Sequence, residues 1–455
     1  MTSRPAPGPR GLPLLGSLPG YRRNAVQFFS RLQAEYGDVV GIRLGPFPVF
    51  LVSHPDGVRH VISANDRNYG RGRFYENFKL FFGRGLLTTD GEEWKSHRRV
   101  TQPAFLRQVI ASSGPHVVAA TEDMLFRWRV SARAGDPVDA LHESMQLTLG
   151  SLSRTLFGID VSPNSEPVQA ALDFGLGAMY NSGSPTDALP SWVPTPRNRG
   201  IARHRRVLRA MVDRIIAEHR EQEATVDLVA LLERAAADDP GAWSAQDLQD
   251  EVSTIFLAGQ ETTAMALCWL LYLVGGHPEV RERLRAEVDA VPDDDLAAAG
   301  EEGRLPYTRA VIDETLRLYP PVWLYPRDAI GDDEIGGYRV PAGSSVIVSP
   351  WVTHRRPDLW DRPEEFRPER FLGAERRHRF AYFPFGGGPR QCIGSHMALQ
   401  ELQIMLAMIV REFHWELQGP STLEVGARMI SLRPVQGMTI RVVERVARQS
   451  ARAGT

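Results

Sequence analysis

The stretch FPFGGGPRQCIG, residues 383–394, places Cys392 behind three glycines and Arg390, and in front of a fourth glycine. Glycine allows sharp turns and a close approach of the backbone to a flat ligand. The helical pattern of SHMALQELQIMLAMIVREF starts directly after this loop. A helix N-terminus and the neighbouring Arg390 both favour the thiolate form of Cys392. The loop therefore meets the requirements of an axial thiolate ligand to a haem iron.

Two simpler interpretations of this loop stay open from its residues alone. One is a buried structural thiol in a glycine-rich turn. The other is a phosphate-binding loop, although no Gly-Lys-Ser/Thr sequence follows. The 455 residues contain only two cysteines, Cys268 and Cys392, which excludes a disulfide framework and a cysteine-rich zinc site. The apolar surroundings of Cys268 indicate a core thiol without a role.

The composition is typical of a soluble globular protein. Hydrophobic residues make up 43% and charged residues 24% of the chain, and the net charge of −2 gives no general attraction to nucleic acid or anionic lipid. The Pro- and Gly-rich start, MTSRPAPGPRGLPLLGSLPG, has no apolar run long enough for a signal core or a spanning helix. We therefore expect a cytoplasmic, monomeric protein without a membrane anchor.

Hydrophobic periodicity predicts one domain, residues 1–455, that is mainly α with a small β portion. Helices are predicted over residues 26–37, 115–157, 165–180, 198–222, 226–237, 244–275 and 306–321, and a hairpin of short strands over residues 38–54. The expected segments are a Pro/Gly-rich start (1–22), a mixed α/β region (23–70), a helical body (71–380), the cysteine loop with its helix (381–416) and a C-terminal β region and tail (417–455).

The longest predicted helix, residues 244–275, would extend about 45 Å and is apolar on nearly all sides, which indicates a buried helix. Its middle reads Ala258-Gly259-Gln260-Glu261-Thr262-Thr263. A charge at the centre of a membrane span costs about 2.5–3.5 kcal/mol, so a helix through a protein core is favoured. Gly259 lowers the cost of a local bulge, and Thr262 can hydrogen-bond a carbonyl one turn back. An acid beside a hydroxyl suits a small polar pocket; a helix flaw filled with polar residues is the alternative.

Two further patterns are weak by themselves. Glu314 and Arg317 lie three residues apart on one helical face and can form an ion pair. Trp94 and Arg98 lie one turn apart, so their donors could reach one carboxylate together, which Arg can bind bidentately. On a solvated surface neither pattern would indicate a function.

FGGGPRQCIG resembles the haem-binding loop of the cytochrome P-450 family. Other patterns of that family follow in order along essentially the whole chain: WKSHR (94–98), AGQETT (258–263), ETLR (314–317) and PERF (368–371). The resemblance implies a cytochrome P-450-like domain that holds haem b between the long central helix and the cysteine loop, with Cys392 as the axial ligand of the iron.

The resemblance also implies roles for the residues of each motif. Thr262 would hydrogen-bond the iron–oxygen species, and Glu261 would help to deliver protons. Arg370 would join Glu314 and Arg317 in a structural network before the cysteine loop. Cofactor contacts are implied for Trp94, His97, Arg98, Ala258, Gly259, Arg327, Phe385, Gly386, Arg390, Ile393 and Gly394.

The implied activity is that of a haem-thiolate monooxygenase, which inserts one oxygen atom from O2 into a C–H bond of a hydrophobic small molecule. Bacterial terpene or polyketide biosynthesis is the expected setting. The alternatives are a fatty-acid hydroxylase, a peroxide-using enzyme such as an isomerase or dehydratase, and a haem-based sensor, for which no output domain is visible. The expected substrate pocket consists of Phe74, Phe78, Phe81, Tyr180, Phe256, Val322, Trp323, Leu324 and Tyr325.

Electrons from NAD(P)H would reach the haem through a separate ferredoxin and ferredoxin reductase, since no flavin or dinucleotide domain is apparent. A basic face on the cysteine side of the haem would attract an acidic ferredoxin. The arginines expected on this face are Arg98, Arg99, Arg376, Arg377, Arg379 and Arg390.

Overall fold

In the computed structural model of the chain, the long apolar helix is α12 (Ala245–Gly276), which runs through the protein core. Ser244 caps it: the Ser244 hydroxyl accepts a hydrogen bond from the Asp247 N–H, and the Asp247 carboxylate accepts one from the Ser244 N–H. In the described part of the chain, α12 is the single helix long and apolar enough to span a membrane, and 78% of its most apolar window is buried inside the protein. It is therefore a core helix.

Helices make up most of the described chain, which covers residues 4–162, 166–180, 189–190, 192–221, 227–238, 243–301, 303–373, 377–420, 422–428 and 431–445. Before α12 come α1 (Leu18–Arg23), α2 (Ala25–Tyr36), α3 (Pro55–Arg59), α4 (Gly72–Phe82), α5 (Gly91–Thr101), α6 (Arg107–Ser112), α7 (Gly114–Ala134), α8 (Ala140–Phe157), α9 (Glu166–Tyr180), α10 (Pro196–Arg220) and α11 (Leu228–Asp238). After it come α13 (Pro278–Val288), α14 (Pro306–Leu318), α15 (Pro350–Thr353) and α16 (Ser395–Glu412).

The strands are β1 (Val39–Leu44), β2 (Phe47–Val52), β3 (Tyr69–Gly70), β4 (Val138–Asp139), β5 (Tyr325–Ala329), β6 (Asp333–Ile335), β7 (Tyr338–Val340), β8 (Ser345–Val348), β9 (Phe413–Gln418), β10 (Val425–Arg428), β11 (Ser431–Pro434) and β12 (Thr439–Glu444). The largest sheet has the order β1-β2-β8-β5-β3, with β2 and β8 parallel and the other neighbours antiparallel. Smaller sheets are β4-β12-β9, β10-β11 and β6-β7. Strand β5 reaches the cysteine loop, where the Tyr325 hydroxyl donates to the Pro384 carbonyl at 2.7 Å.

Most of the predicted elements are confirmed, including the first helix, the strand hairpin and α12. The single helix predicted over residues 115–157 is wrong. Gly135 takes φ 73° after α7, and the chain then forms β4 before the Asp139 carboxylate caps α8. A left-handed residue that ends a helix is usually Gly, so Gly135 is the signal that was missed. The helix predicted to reach 321 ends at Leu318, ahead of the Pro320-Pro321 pair.

Two apolar clusters pack against the two halves of α12. The N-terminal half, through Phe256, packs with α4, α8 and α10. The C-terminal half, through Trp269, packs with α7, α14 and α16. Residues 258–263 lie between these clusters and belong to neither of them. Ala258 and Thr262 in this part of the helix face a cavity instead.

Candidate active site

A cavity opens between the middle of α12 and the loop before α16. About 1800 Å³ there is not filled by protein atoms, part of it open to solvent. The helix contributes Ala258, Gly259, Glu261, Thr262 and Thr263 to its lining, and the loop contributes Phe385, Gly386, Gly387, Cys392, Ile393 and Gly394. The structure thus brings together two motifs that are far apart in the sequence.

The glycines of the loop are required by its backbone. Gly386 and Gly388 have φ values of 69° and 66°, which residues other than Gly rarely adopt. A Cβ atom on Gly388 would lie 1.9 Å from the Ile62 carbonyl oxygen, and one on Gly387 would lie 2.6 Å from the Phe380 ring. The loop therefore folds tightly enough for the Cys392 N–H to donate to the Phe385 carbonyl at 3.0 Å.

The Cys392 side chain lines the cavity and is exposed to it. Burial raises the pKa of the Cys392 thiol, while the Gly394 N–H, which donates to the sulfur, and the Arg98 guanidinium lower it. The contribution expected from the start of α16 is present as the Gly394 N–H, whereas the cation that acts on the thiol is Arg98 and not Arg390. Arg390 is occupied elsewhere, since it donates to the Thr89 carbonyl at 2.9 Å and pairs with Asp90. A metal ion bound to the sulfur would favour the thiolate, because it deprotonates a coordinating thiol.

Four arginines line the same cavity: Arg71, Arg98, Arg327 and Arg390, here called the arginine quartet. Arg71 and Arg327 are buried. Burial and then the charge of Arg71 lower the pKa of Arg327 to about 10 and that of Arg390 to about 9. These shifts show that the guanidinium groups repel one another in a place where water screens them little.

The carboxylates around the quartet do not balance its charge. Asp90 pairs with Arg390 and accepts a hydrogen bond from the Arg71 N–H at 2.7 Å. Arg71 Nη1 donates to the Tyr75 hydroxyl at 2.9 Å, but its buried Nε has no hydrogen-bond partner among the described residues. An unpaired buried donor costs about 1–3 kcal/mol, so this site fits a ligand that brings acceptor groups with negative charge.

Of the α5 motif, Trp94 and Arg98 face the cavity, whereas His97 is absent from its described lining. The Arg390 guanidinium carbon lies 4.4 Å from the centre of the Trp94 ring, and Arg98 donates to the Gln391 carbonyl at 3.2 Å. His97 is buried and pairs through Nδ1 with Glu251 at 2.6 Å. The cofactor contact expected from His97 therefore has no support in the structure.

The acid and the alcohol of α12 have different partners. The Thr262 hydroxyl donates to the Ala258 carbonyl at 2.7 Å, one turn back, in agreement with the sequence prediction. Glu261 is buried and accepts hydrogen bonds from Arg433 Nη2 and Nε at 2.7 and 3.0 Å, and from the Ser431 hydroxyl at 2.7 Å. Sequence reasoning missed Arg433 and Ser431 because β11 carries no motif.

Glu314 and Arg317 form an ion pair whose side chains are fully buried, with hydrogen bonds of 2.7 and 2.8 Å. Arg317 also donates to three backbone carbonyls in the segment 354–365. Arg370 donates to Glu314 at 3.1 Å. The three residues predicted to form a network are thus in contact, and they hold the segment before the cysteine loop against α14.

His354 extends this network and was not assigned a role from the sequence. Its Nε2 accepts a hydrogen bond from the Phe383 N–H at 2.9 Å, and its Nδ1 lies 3.3 Å from the Arg317 carbonyl oxygen. Burial, followed by the charge of Arg317, holds the pKa of His354 well below its usual range. Neutral His354 thereby links the ion pair to the first residue of the stretch 383–394.

The predicted substrate pocket coincides only in part with the cavity. Phe78, Val322 and Tyr325 line it, whereas the Tyr180 side chain lies outside the described residues. Five other predicted residues pack in apolar clusters instead: Phe74, Phe81, Phe256, Trp323 and Leu324. Six lining residues that the sequence did not single out are Leu86, Leu87, Leu152, Leu156, Leu176 and Ile255. On a helix such as α12, which is buried on nearly all sides, periodicity does not separate a cavity residue from a core residue.

The family model of cytochrome P450 matches residues 6–440 of the chain, a range that contains the cavity and all of the motifs described above. The chain belongs to the cytochrome P450 family. Its members are oxygen-incorporating oxidoreductases that use haem iron and O2, bind hydrophobic substrates and receive electrons from separate redox partners.

Several bacterial terpene-modifying enzymes are similar to this cytochrome P450. Cyclooctatin synthase and cyclooctat-9-en-7-ol 5-monooxygenase of Streptomyces melanosporofaciens are 36% and 35% identical, over 88% and 96% of this chain and 88% and 91% of their own. Pentalenene oxygenase of Streptomyces avermitilis is 30% identical over 89% of this chain and 90% of its own. A solved cyanobacterial structure, CYP120A1 with retinoic acid bound, covers 98% of this chain and all of its own at a TM-score of 0.83 and 26% identity.

The residues of this cytochrome P450 fit a haem. Cys392 offers a single axial sulfur, and the tightly folded glycines let the loop backbone approach a flat ring. The arginine quartet, with its unpaired Arg71 Nε, offers donors to the two carboxylates that a haem carries. Across the cavity, Ala258 presents little side-chain bulk, and Gly259 leaves room for Leu152, because a Cβ atom on Gly259 would lie 2.6 Å from Leu152 Cδ1.

Proposed function

We propose that this cytochrome P450 hydroxylates a neutral terpenoid, bound in the apolar part of the cavity beside α12. The observation that carries the proposal is the lining of this part, which consists of Phe78, Leu86, Leu87, Leu176, Ile255 and Val322. Such side chains recognise shape and hydrocarbon surface rather than charge. Two of the Streptomyces relatives are named cyclooctat-9-en-7-ol 5-monooxygenase and pentalenene oxygenase, and these names support the same substrate class.

The charges of the cavity favour a neutral substrate over a fatty acid. The arginine quartet gathers around the cysteine-loop side, where Arg98 and Arg390 contact Gln391 and Trp94. Glu261 is already neutralised by Arg433. The described lining therefore has no further cation to bind a substrate carboxylate. An ionised acid would lose its hydration on binding without gaining an ion pair, which weakens its binding.

When bound, the haem supplies the activation of O2 and the insertion of one oxygen atom into a C–H bond. Cys392 would hold the iron through its sulfur, with the Gly394 N–H donating to that sulfur. The apolar lining would orient the substrate and exclude water. Thr262 would hold a proton at Oγ1 on the cavity wall, and the Ser431 hydroxyl would pass protons between Glu261 and the cavity, because it lines the cavity and donates to Glu261.

Ligand titration of the haem-loaded protein tests the substrate class. The probes are cyclooctat-9-en-7-ol and pentalenene as neutral terpenoids, and retinoic acid and a long-chain fatty acid as carboxylates. We expect the neutral compounds to shift the haem absorption band at lower concentrations, and a terpenoid to give a hydroxylated product with NADPH and a surrogate ferredoxin and reductase. Tighter binding of the carboxylates would contradict the proposal, and turnover with peroxide but none with NADPH and the redox partners would favour a peroxide-using enzyme.

A ferredoxin is proposed to dock on the surface next to the cysteine loop. Arg99 and Arg379 are exposed there, whereas Arg377 stacks on Trp360 and Arg376 lies outside the described residues. Changing Arg99 and Arg379 together to Glu should slow ferredoxin-driven turnover and spare peroxide-driven turnover. Arg133→Glu, at an exposed position on α7, is the control. Equal loss in both assays would reject the docking site.

A further inference from the structure

Glu401 on α16 is a buried acid that lines the haem cavity and has no part in the function proposed above. Its side chain is 3% exposed. The carboxylate accepts one hydrogen bond, from the Ser151 hydroxyl of α8 at 2.6 Å. No arginine, lysine or histidine of the described residues pairs with it, although burying an unpaired carboxylate is costly.

The neighbours of Glu401 do not compensate this cost. Gln400 and Gln403 on the same helix donate to the carbonyls of Ile110 and Ala299, not to the acid. Burial raises the pKa of Glu401 to about 7, and the hydrogen bond from Ser151 is the one influence that lowers it. Glu401 is therefore poised between its neutral and charged forms near neutral pH.

Many of the other charged groups on the elements packed around α16 are held by ion pairs, and Arg411 donates to the carbonyls of Val288 and Val291. Those pairs are Arg129 with Glu412, Arg154 with Asp123 and Asp160, Glu261 with Arg433, Arg285 with Glu282, and Glu314 with Arg317. Within the cavity, the ionisable groups are the arginine quartet, Tyr75, Tyr325, Glu261 and Cys392. None of these groups acts on the pKa of Glu401. A new charge in the cavity would thus meet a buried carboxyl that has the Ser151 hydroxyl as its donor and no pairing cation among the described residues.

We propose that Glu401 takes up a proton when the haem iron is reduced, and that it thereby sets how the reduction potential depends on pH. The proposal rests on haem binding at Cys392 and not on the identity of the substrate. One electron from the redox partner reduces the iron from the ferric to the ferrous state, and one proton from solvent binds a carboxylate oxygen of Glu401. Added negative charge in a low-dielectric cavity strengthens proton binding nearby, and by linkage the bound proton favours the reduced state.

The test is a spectroelectrochemical titration of the haem-loaded protein between pH 6 and pH 8. We expect the wild-type potential to become more negative as the pH rises. Glu401→Gln, which stays neutral, should show no such dependence and should keep the potential that the wild type has at low pH. In Ser151→Ala, the pH range over which the reduction potential falls should shift to higher pH, because the carboxylate loses its single hydrogen-bond donor. A flat wild-type profile, or a slope kept by Glu401→Gln, would overturn the proposal.

A second measurement does not depend on the variants folding. The infrared difference spectrum of the wild type, recorded on reduction, should show a protonated carboxyl group appearing. Absence of any carboxyl signal would reject proton uptake by Glu401. The carbonyl spectrum of the same reduced sample reports separately on thiolate ligation by Cys392, so that failure of the haem site and failure of this proposal are told apart.

Discussion

Arg433 of β11 holds the carboxylate of Glu261 on α12 through two hydrogen bonds, and its third donor binds Asp173 of α9 at 2.7 Å. Arg433 is 9% and Glu261 3% exposed. A buried pair of this kind is weak evidence for net stability, but removing one partner leaves a buried charge without compensation. The acid of the cavity is thus tied to the C-terminal hairpin, and its charge depends on a residue far away in the sequence.

Replacing Arg433 should reveal this dependence in the free energy of unfolding. Arg433→Met is expected to lower it by about 3–5 kcal/mol, because Glu261 stays buried and unpaired. The double variant Glu261→Gln/Arg433→Met should regain part of the loss, since no unpaired charge is left. Urea denaturation of the haem-loaded variants measures both. Losses that simply add in the double variant would show that the two side chains do not stabilise each other.

Thr262→Ala should separate NADPH consumption from product formation. The hydroxyl is the one side-chain donor of this residue, and its bond to the Ala258 carbonyl fixes it on the cavity wall. Without it we expect NADPH to be consumed at a similar rate while the yield of hydroxylated product per NADPH falls several-fold. Thr262→Ser keeps the hydroxyl and is the matched control. An unchanged yield in Thr262→Ala would remove Thr262 from the reaction.

The motifs allowed the sequence to place Cys392, Thr262 and the pair Glu314–Arg317, because each requires particular residue types at fixed spacing. The same motifs did not reveal the partners of these residues. Arg433 meets Glu261 only through the packing of β11 on α12, and no local pattern encodes that contact. The sequence also indicated Arg390 as the cation that acts on the Cys392 thiol, whereas Arg98 of α5 has this position and Arg390 pairs with Asp90.

The substrate pocket shows the same limit. Ile255 lines the cavity and Phe256, the next residue of α12, packs against Phe157 in the core. Both are apolar and both lie on a helix that is buried on nearly all sides, so their difference arises from the position of neighbouring helices. Leu86 and Leu87 lie in a loop whose course depends on the hydrogen bond from the Leu86 N–H to Glu251 of α12. Tertiary contacts, not local propensity, decide these positions.

Two ion pairs with the same spacing should differ in how much they contribute to the free energy of unfolding. Glu314 and Arg317 are fully buried, whereas Glu301 and Arg304 have the same i,i+3 spacing but are 51% and 42% exposed. Glu314→Gln is expected to lower the free energy of unfolding by about 3–5 kcal/mol and to reduce the haem content, because Arg317 and Arg370 lose their counter-charge. Glu301→Gln should cost at most about 1 kcal/mol. Denaturation midpoints and haem content measure both, and equal effects would contradict a buried structural role.

His354 should make the stability of the protein fall in mild acid. Its Nε2 must be unprotonated to accept the Phe383 N–H, and burial keeps its pKa in the folded protein well below the usual value of 6.5. Below pH 6.5 the unfolded chain therefore binds a proton that the folded chain does not. The stabilisation is fully present above that pH and is lost as the pH falls, by about 1.4 kcal/mol per unit for one group.

The variant His354→Gln separates this titration from the hydrogen bond. Its side-chain amide can still accept from Phe383 and donate to the Arg317 carbonyl, but it does not titrate. We expect a lower free energy of unfolding at pH 7.5 and a shallower decline between pH 6.5 and pH 5. The control His396→Gln changes an exposed histidine, whose loss should leave the decline as steep as in the wild type. If His354→Gln and the wild type lose stability in parallel over this range, other groups are responsible, and the cysteine loop does not depend on a neutral histidine.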